Sequence, residues 1–265
     1  MERKLGINSG CLPDIDGTAE ELKRIRDAGF DWFSSASCLP EQVCMLKNEG
    51  ERIGLTLGFL HAPTAGINNF WREDLEYLPL WKQVIASIDS AAACDIPTVV
   101  MHLSSGWTAP ALTDIGFSRF DRLVEYAIDK KVGLAFENVR KLGNLAAIME
   151  RYERIPNVGF CYDCGHEHCY TETVHFLDFL GKRTFCTSIH DNFGRDREDP
   201  RRDTDEHLMP FDGNVDYRDM MARLNRYGYS GALTLQLVKK GEYAQKSDAA
   251  FLAVAFERLN RIARL

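Results

Sequence analysis

Three short hydrophobic runs indicate how this chain folds: GLAFE (133–137), VGFCYD (158–163) and RTFCTSIH (183–190). The runs end on side chains that can bind a metal ion, namely Glu137, Asp163 and His190. Hydrophobic runs of this length, bounded by turns and separated by helix-like segments, are typical of buried parallel strands. Because parallel strands of one sheet end at the same edge, these three side chains are expected to converge.

The alternation of strand-like and helix-like segments continues in both directions without a break in composition. The other predicted strands are residues 5–10, 30–33, 53–60, 97–101 and 233–238. Eight strands are the number that closes a parallel barrel, whose active site lies at the C-terminal ends of the strands. An open, doubly wound sheet is the alternative, but no glycine-rich dinucleotide fingerprint follows the first strand. We therefore predict an α/β protein with one (β/α)8 TIM barrel domain over residues 1–265.

The segments between the strands carry helix signals. Thr18 and Glu21 predict a capping box, and residues 71–94 and 171–180 are predicted helices. Asn214 is predicted to cap a later helix, and Ser247 or Asp248 the last one. Residues 191–213 have no periodicity, and loops of that length in a compact domain are usually functional.

The composition is that of an ordinary globular chain, with 45% hydrophobic and 27% charged residues. The net charge of −7 gives no electrostatic footprint for nucleic acid, so nucleic acid is not an expected partner. No apolar run approaches the roughly 20 residues needed to cross a bilayer. No signal peptide is recognisable either, and we predict a cytoplasmic protein.

The eight cysteines are spread along apolar runs and lack the spacing of a disulfide framework. We predict reduced thiols, as is usual in the cytosol. Cys161, Cys164 and Cys169 surround Asp163 and raise the alternative of a zinc knuckle. No second pair of cysteines accompanies them, so a structural role is favoured.

Five of the seven histidines and three carboxylates fall at one end of the predicted barrel. They are His61, His102, His166, His190, His207, Glu137, Asp163 and Asp205. Any one of these histidines could be structural, but core packing does not explain so many at one rim. Imidazole combined with carboxylate suits Zn²⁺, Mn²⁺, Fe²⁺ or Co²⁺. The sequence therefore predicts a divalent metal site, with Zn or Mn favoured.

Two other features each keep two interpretations. Residues 195–203 (RDREDPRRD) are either a solvated loop face or a site that binds a substrate phosphate, since phosphate sites of barrels favour the last two loops. Phe70, Trp71 and Trp107 either line the mouth of the pocket or pack in the core.

Seven motifs, in chain order, resemble the xylose isomerase-like barrel superfamily. This superfamily contains sugar isomerases and epimerases together with abasic-site nucleases of the endonuclease IV type. The motifs are LHAP (60–63), VVMHLSSG (99–106), FENVR (136–140), YDCGH (162–166), SIHDN (188–192), DEHLMPFDGNVDY (205–217) and LTLQLV (233–238). They cover most of the chain, and as an ordered set they are specific for the superfamily although not for a substrate.

The isomerase and epimerase branch implies one divalent ion, held by residues that match Glu137, Asp163, His190 and the position of Gln236. The residue that matches His166 contacts the substrate there. The nuclease branch implies three zinc ions instead. Its ligand sets match His61, His102 and Glu137 for the first ion, the four residues above for the second, and His166, Asp205 and His207 for the third.

Gln236 is a departure, because both branches carry glutamate at this position. A glutamine carbonyl can bind a metal ion, but it adds no charge and cannot act as a base. Metal affinity is expected to fall, and an epimerisation that uses two carboxylate bases loses one of them.

Three hypotheses follow. The leading one is a metal-dependent isomerase or epimerase of a small sugar, sugar phosphate or hydroxy-ketone, with Glu137 as the base and His166 on a substrate oxygen. The alternative is a phosphodiesterase with two or three metal ions. The third is a sugar-binding barrel without activity, which Gln236 supports. The expected partner is a small carbohydrate, and no membrane interaction is expected. The sequence leaves open whether the protein forms a homo-oligomer.

Overall fold

The structure, a computed structural model, describes residues 3–36 and 39–265. Its strands are parallel and form one sheet in the order β7-β6-β5-β4-β3-β2-β1-β8. They are β1 Leu5–Asn8, β2 Trp32–Ser35, β3 Thr56–His61, β4 Thr98–Met101, β5 Gly133–Glu137, β6 Val158–Asp163, β7 Thr184–Ser188 and β8 Leu233–Leu235. The predicted (β/α)8 barrel is confirmed.

The barrel closes where β7 meets β8. The hydroxyl of Thr187 bridges the two strands, because it donates to the carbonyl oxygen of Ala232 and accepts from the amide of Thr234. Further along, the amide of Ile189 donates to Thr234 O at 2.8 Å, and that of Gln236 donates to Ile189 O at 3.0 Å. Gln236 therefore lies one residue beyond β8, not inside the strand as predicted.

Helices cover the outside of the barrel and bury one face against it. They are α1 Ala19–Asp27, α2 Pro40–Arg52, α3 Leu78–Ala93, α4 Asp114–Asp129, α5 Leu142–Arg151, α6 Leu177–Leu180, α7 Tyr217–Arg226 and α8 Asp248–Ala263. Short 3-10 turns lie at Pro13–Ile15, Ile67–Trp71, Gly181–Arg183 and Gly241–Tyr243. Among the described residues, no helix combines the length and the apolar character needed to cross a membrane.

Several predicted helix ends differ from the structure. The third helix begins at Leu78, because residues 67–71 form a separate 3-10 turn. Helix α7 is capped by Asp216, whose carboxylate accepts from the amide of Asp219, and not by Asn214. The prediction that Ser247 caps the last helix is confirmed, since its hydroxyl accepts from the amide of Ala250.

The helix predicted over residues 171–180 is present only at its C-terminal end, Leu177–Leu180. A helical turn, Cys164–His166, begins immediately after β6, because the Asp163 carboxylate caps it by accepting from the amide of His166 at 2.7 Å. A wider turn, Glu167–Thr171, follows, and only Leu177–Leu180 is helical after it. The early turn places His166 close to the end of β6.

The interior of the barrel is filled below the strand ends by a small apolar cluster, which consists of Phe59, Val100, Ala135, Cys161 and Cys186 with Phe185 beside them. A larger apolar core lies between the strands and the helices. Phe70 and Trp71 belong to that outer core, and the Trp71 indole donates to Leu103 O at 2.6 Å. Core packing therefore explains these two aromatic residues, whereas Trp107 is only half-buried.

One pair of cysteines contradicts the prediction of reduced thiols throughout. Cys44 in α2 and Cys94 at the end of α3 form a disulfide, with their Cα atoms 5.6 Å apart. A separation of 50 residues gives no pairing signal, and only the packing of the two helices brings these side chains together. The other cysteines that the structure describes are free and buried, and Cys38 lies outside the described residues.

Candidate metal centre

Strand ends carry most of the predicted ligands. His61, Glu137 and Asp163 are the last residues of β3, β5 and β6, while His102 follows β4 directly and His190 lies two residues beyond β7. Since all strands run in the same direction, these side chains gather at the C-terminal end of the barrel. We call this group the cup, and it also contains His166, Asp205, His207 and Gln236.

One half of the cup consists of two histidines that share one carboxylate oxygen. The Nε2 atoms of His61 and His102 lie 2.9 and 2.8 Å from Glu137 Oε2. Burial raises the pKa of Glu137, but the two hydrogen bonds outweigh it and hold the pKa well below its usual value. Burial lowers the pKa of both histidines, and the bond to Glu137 raises it. The net pKa is raised at His61 and lowered at His102. We call these three residues the strand-borne half.

The centre of the cup is His166. Its Nε2 lies 3.1 Å from Asp205 Oδ2, and its Nδ1 lies 2.9 Å from the carbonyl oxygen of Asn138. Burial lowers the pKa of His166, but the charge of Asp163 and the bond with Asp205 outweigh it and raise the pKa to about 10.

The other half of the cup depends on the long loop. Asp205 and His207 lie on this loop, and His207 Nε2 is 3.3 Å from Asp205 Oδ2. The His207 ring stacks on the ring of His190, with centroids 3.8 Å apart. Its backbone φ of 46° is in the left-handed region, which non-glycine residues rarely adopt. We call Asp205 and His207 the loop-borne half.

Asp191 fixes both ends of this loop segment. It is fully buried, and its carboxylate accepts from the amides of Asn192, Phe211 and Val215 at 2.8–3.0 Å. Its backbone also pairs with Leu208 in an antiparallel bridge. The aperiodic segment therefore has a defined conformation at the point where it carries Asp205 and His207, the two predicted ligands.

Three histidines of the cup share one hydrogen-bonding pattern. The Nδ1 atoms of His61, His166 and His207 each lie 2.9–3.0 Å from a backbone carbonyl oxygen, so each donates there. In a neutral ring the Nε2 lone pair then points at a carboxylate oxygen, which is repulsive at about 3 Å unless a proton or a cation lies between them. Histidines that bind metal ions are usually oriented by such an Nδ1–H bond.

Four buried polar atoms of the cup have no hydrogen-bond partner among the described residues: Glu137 Oε1, His190 Nδ1, Asp205 Oδ1 and Gln236 Oε1. Leaving such atoms unpaired is costly in a protein interior. Possible ligand atoms also form three groups, and within each group the atoms all lie within 4.8 Å of one another. They are His61, His102 and Glu137; Glu137, Asp163 and His166; and His166, His190, Asp205 and His207. The cup therefore fits one or more divalent cations, and the role of each residue is a proposal taken up below.

Sequence reasoning missed three residues that build the cup. The Asn138 side chain joins the ends of β5 and β6, because it donates to Asp163 O and accepts from Asp163 N, both at 2.8 Å. The ring of Tyr170 stacks on His166, with centroids 5.1 Å apart. Gly165 has no room for a side chain, since a Cβ atom there would lie 2.0 Å from His190 Cε1. Of these three residues, only Asn138 could have been found from the sequence, because it directly follows the carboxylate that ends a buried strand.

A cavity of about 570 Å³ adjoins the cup at His207. Its walls are mostly apolar and include Leu237, Val238, Tyr243 and Phe251. The loop-borne side of the cup is therefore bordered by apolar space.

Comparison with known proteins agrees with this architecture. The family model of the xylose isomerase-like TIM barrel matches residues 22–254. The chain belongs to this family. An uncharacterized protein of Sinorhizobium fredii is 29% identical over 197 residues, which are 67% of this chain and 60% of that relative. The chain thus spans less than two thirds of that relative's length.

Solved structures of the same fold include the IolI protein with a bound zinc atom. It has a TM-score of 0.79 and 17% identity, and the match covers 98% of both chains. D-allulose 3-epimerase from Methylomonas, solved in complex with D-allulose, has a TM-score of 0.71 and 16% identity, again over 98% of both chains. At these identities the similarity shows a shared fold.

Proposed function

We propose that this protein is a metal-dependent isomerase or epimerase of a small sugar, sugar phosphate or hydroxy-ketone. The observation that carries the proposal is the set of buried, unpartnered ligand atoms in the cup, on Glu137, His190, Asp205 and Gln236, among the described residues. Two of the similar folds add support, since one binds zinc and the other is a sugar epimerase.

Glu137, Asp163, His190 and Gln236 would hold the ion that serves the reaction, and they provide oxygen and nitrogen ligands suited to Zn²⁺ or Mn²⁺. When bound, a divalent cation supplies a Lewis acid that polarises a carbonyl group. His61 and His102 both contact Glu137 Oε2, so they fix this carboxylate in one orientation and leave Oε1 open.

Glu137 is the proposed base, and its carboxylate takes a proton from the carbon next to the carbonyl. The low pKa of Glu137 keeps this carboxylate ionised in the free protein, and it also makes the carboxylate a weaker base. His166 is the proposed contact for a substrate oxygen, because its Nε2 faces the cup and its Nδ1 is held by Asn138 O.

Gln236 favours isomerisation over epimerisation. Moving a proton between two adjacent carbons needs one base on one face of the substrate, which Glu137 can supply. Inverting one carbon needs a second base on the opposite face, and the amide of Gln236 cannot be that base. We therefore rank aldose–ketose isomerisation above epimerisation.

A multi-metal hydrolase is the second candidate. The three groups of possible ligand atoms, which overlap at Glu137 and His166, favour it because they offer more than one ion position. Two ions about 4 Å apart can activate a water molecule against a phosphodiester. The net charge of −7 does not favour a nucleic-acid substrate.

Two measurements decide between these candidates. The first is the number of ions in protein purified without chelator, by mass spectrometry of the elements. The second is the exchange of substrate protons with deuterated water over a panel of aldoses and ketoses, beside nicking of a duplex with an abasic site. One ion with proton exchange supports the isomerase. Two or three ions with nicking support the hydrolase, and binding without turnover supports a sugar-binding barrel.

A further inference from the structure

Two arginines and two aromatic rings form a cluster at the rim of the cup. The Arg140 guanidinium carbon lies 3.9 Å from the ring centroid of Tyr170 and 5.6 Å from that of Trp107. The guanidinium carbon of Arg195 lies 4.7 Å from the same Trp107 centroid. Asp203 completes the group, which we call the rim cluster. It combines two guanidinium groups with one carboxylate, above a cup that is rich in carboxylates.

Asp203 is an exposed partner of a largely buried arginine. Its Oδ1 lies 2.6 Å from Arg140 Nη2, yet the Asp203 side chain is 68% exposed and that of Arg140 only 13%. Asp203 Oδ1 also accepts from the Tyr170 hydroxyl and from the Asp205 amide, both at the long distance of 3.3 Å. Water can replace these bonds when the exposed carboxylate moves away, and an exposed ion pair contributes little stability. Asp203 can therefore be exchanged for another anion more readily than Arg140 can be moved.

Two N–H donors of the rim cluster are buried without a partner in the described part of the chain. They are Arg140 Nε and Trp107 Nε1. A guanidinium can bind a carboxylate or a phosphate through two parallel bonds, and the Nε atom of Arg140 is not used in its pairing with Asp203. Arg195 donates from Nε to the carbonyl oxygen of Pro200, which is a neutral acceptor. The cluster therefore retains unused donors for an anion.

The rim cluster is close enough to the cup to contact the same molecule. Tyr170 separates the two, since its ring stacks on His166 with centroids 5.1 Å apart and also contacts Arg140. The Arg140 guanidinium carbon thus lies within 9.0 Å of the His166 centroid, the sum of the two distances through Tyr170. A substrate of sugar size can span this interval.

We propose that Arg140 is a specificity-determining residue that binds the anionic group of an acidic hydroxy-carbonyl substrate, and that Asp203 occupies its place in the free protein. The anionic group is a carboxylate or a phosphate, and Trp107 Nε1 supplies a further donor to it. This inference rests on the proposed function, because it names the substrate class of the same site. It predicts discrimination against neutral sugars.

The test measures binding, so that it does not depend on turnover. Titration calorimetry with gluconate, sorbitol 6-phosphate and neutral sorbitol compares the wild-type protein with Arg140→Gln. We expect one of the two acids to bind about tenfold more tightly than sorbitol, and this preference to disappear in Arg140→Gln. Which acid is preferred distinguishes a sugar acid from a sugar phosphate. Arg202→Gln is the matched control, because Arg202 is exposed and pairs with Asp196 on the same loop, and it should keep the preference.

Asp203→Asn separates this role from that of a loop anchor. If Asp203 occupies the anion site, its neutralisation removes a competitor and strengthens acid binding severalfold. If the Arg140–Asp203 pair only anchors the loop, Arg140→Gln and Asp203→Asn weaken binding alike, and the inference is wrong. Equal affinity of the wild type for sorbitol and both acids also overturns it. Absence of proton exchange with every substrate would refute the isomerase proposal and leave this binding result interpretable.

Discussion

The two halves of the cup differ in what holds their ligands. The strand-borne half, His61, His102 and Glu137, sits on or directly after strands whose backbones are bonded on both sides. The loop-borne half, Asp205 and His207, lies on a segment that is held by the buried carboxylate of Asp191, by the backbone bridge to Leu208 and by the bond from His207 to Gln236 O. Strand ends give precise positions at no extra cost, whereas the loop needs a dedicated internal anchor and tolerates a strained φ at His207.

This difference predicts that the strand-borne residues keep their positions when the loop-borne residues move. Glu137 belongs to the strand-borne half and also forms a group with Asp163 and His166. His166 in turn contacts the loop-borne Asp205. A change at Glu137 should therefore affect the whole cup, whereas changes in the loop should leave the strand-borne half intact.

The largest effect is expected from Glu137→Gln. It removes the proposed base and the shared ligand, so proton exchange with deuterated water should fall about a thousandfold. Bound metal, measured on the purified variant, should fall as well. Glu206→Gln, at an exposed position between Asp205 and His207, is the control and should change neither quantity. Wild-type metal content in Glu137→Gln would contradict the shared-ligand interpretation.

Asp191→Asn should damage the loop-borne half selectively. Asparagine keeps one acceptor oxygen of the two that Asp191 uses, so at least one buried amide loses its partner and the free energy of unfolding should drop by about 2 kcal/mol. Chemical denaturation measures this loss, and ion counting should show that the strand-borne ligands still bind. Glu198→Gln, on the exposed part of the loop, should behave as the wild type. Equal loss of ions from both halves would show that the strand-borne half does not bind metal independently of the loop.

The histidines of the cup should also respond differently to pH. In the metal-free protein the pKa of His166, at the centre, rises from 6.5 to about 10, and the pKa values of His61 and His207 are also raised, whereas that of His102 is lowered. A cation at His166 must displace a proton, so affinity there should rise about tenfold per pH unit for each proton released.

The stability of the metal-free protein should change in the opposite direction. A raised histidine pKa contributes stability that is complete below pH 6.5 and is lost as the pH rises towards about 10. Unfolding temperatures with and without metal should therefore diverge between pH 6 and 8, measured by calorimetry in buffers of different ionisation enthalpy. A constant difference across this range would mean that no proton is displaced.

The smallest effect is expected from Gln236→Glu. A carboxylate at this position would face Glu137 and Asp163 in a buried site, so the metal-free variant should be less stable than the wild type. With metal present the added charge should tighten binding by about tenfold. Thermal unfolding in both states measures the two changes, and Gln245→Glu, on an exposed turn, is the control. Changes of the same sign in both states would show that position 236 does not contact the ion.

The sequence predicts the fold and the strand ends well because each buried run stops at a polar residue, as at Glu137 and Asp163. It predicts the helices less well where a tertiary contact decides. The Asp163 carboxylate starts a helical turn directly after β6, only residues 177–180 of the predicted helix over 171–180 are helical, and Asp216 caps α7 in place of Asn214. Neither feature produces a periodic pattern of hydrophobic residues in the sequence.

The supporting residues of the candidate site are also invisible in one sequence. Asn138 and Arg140 act through partners 25 and 63 positions away, namely Asp163 and Asp203. The disulfide between Cys44 and Cys94 has the same character. Residue types and order predict which groups can bind a metal ion, whereas the contacts that orient them depend on how loops pack.

The junction of β7 and β8 has a consequence for the apoprotein. Only two backbone hydrogen bonds involving Ile189 close the barrel there, in the part of the chain the structure describes, and His190 and Gln236 follow directly on the two sides. An ion bound to both side chains would cross-link the ends of β7 and β8, where few backbone hydrogen bonds join the two strands. Deuterium uptake by the amides of Ile189 and Gln236 should then slow on metal loading. Metal binding and resistance to local opening of the barrel would therefore be thermodynamically coupled.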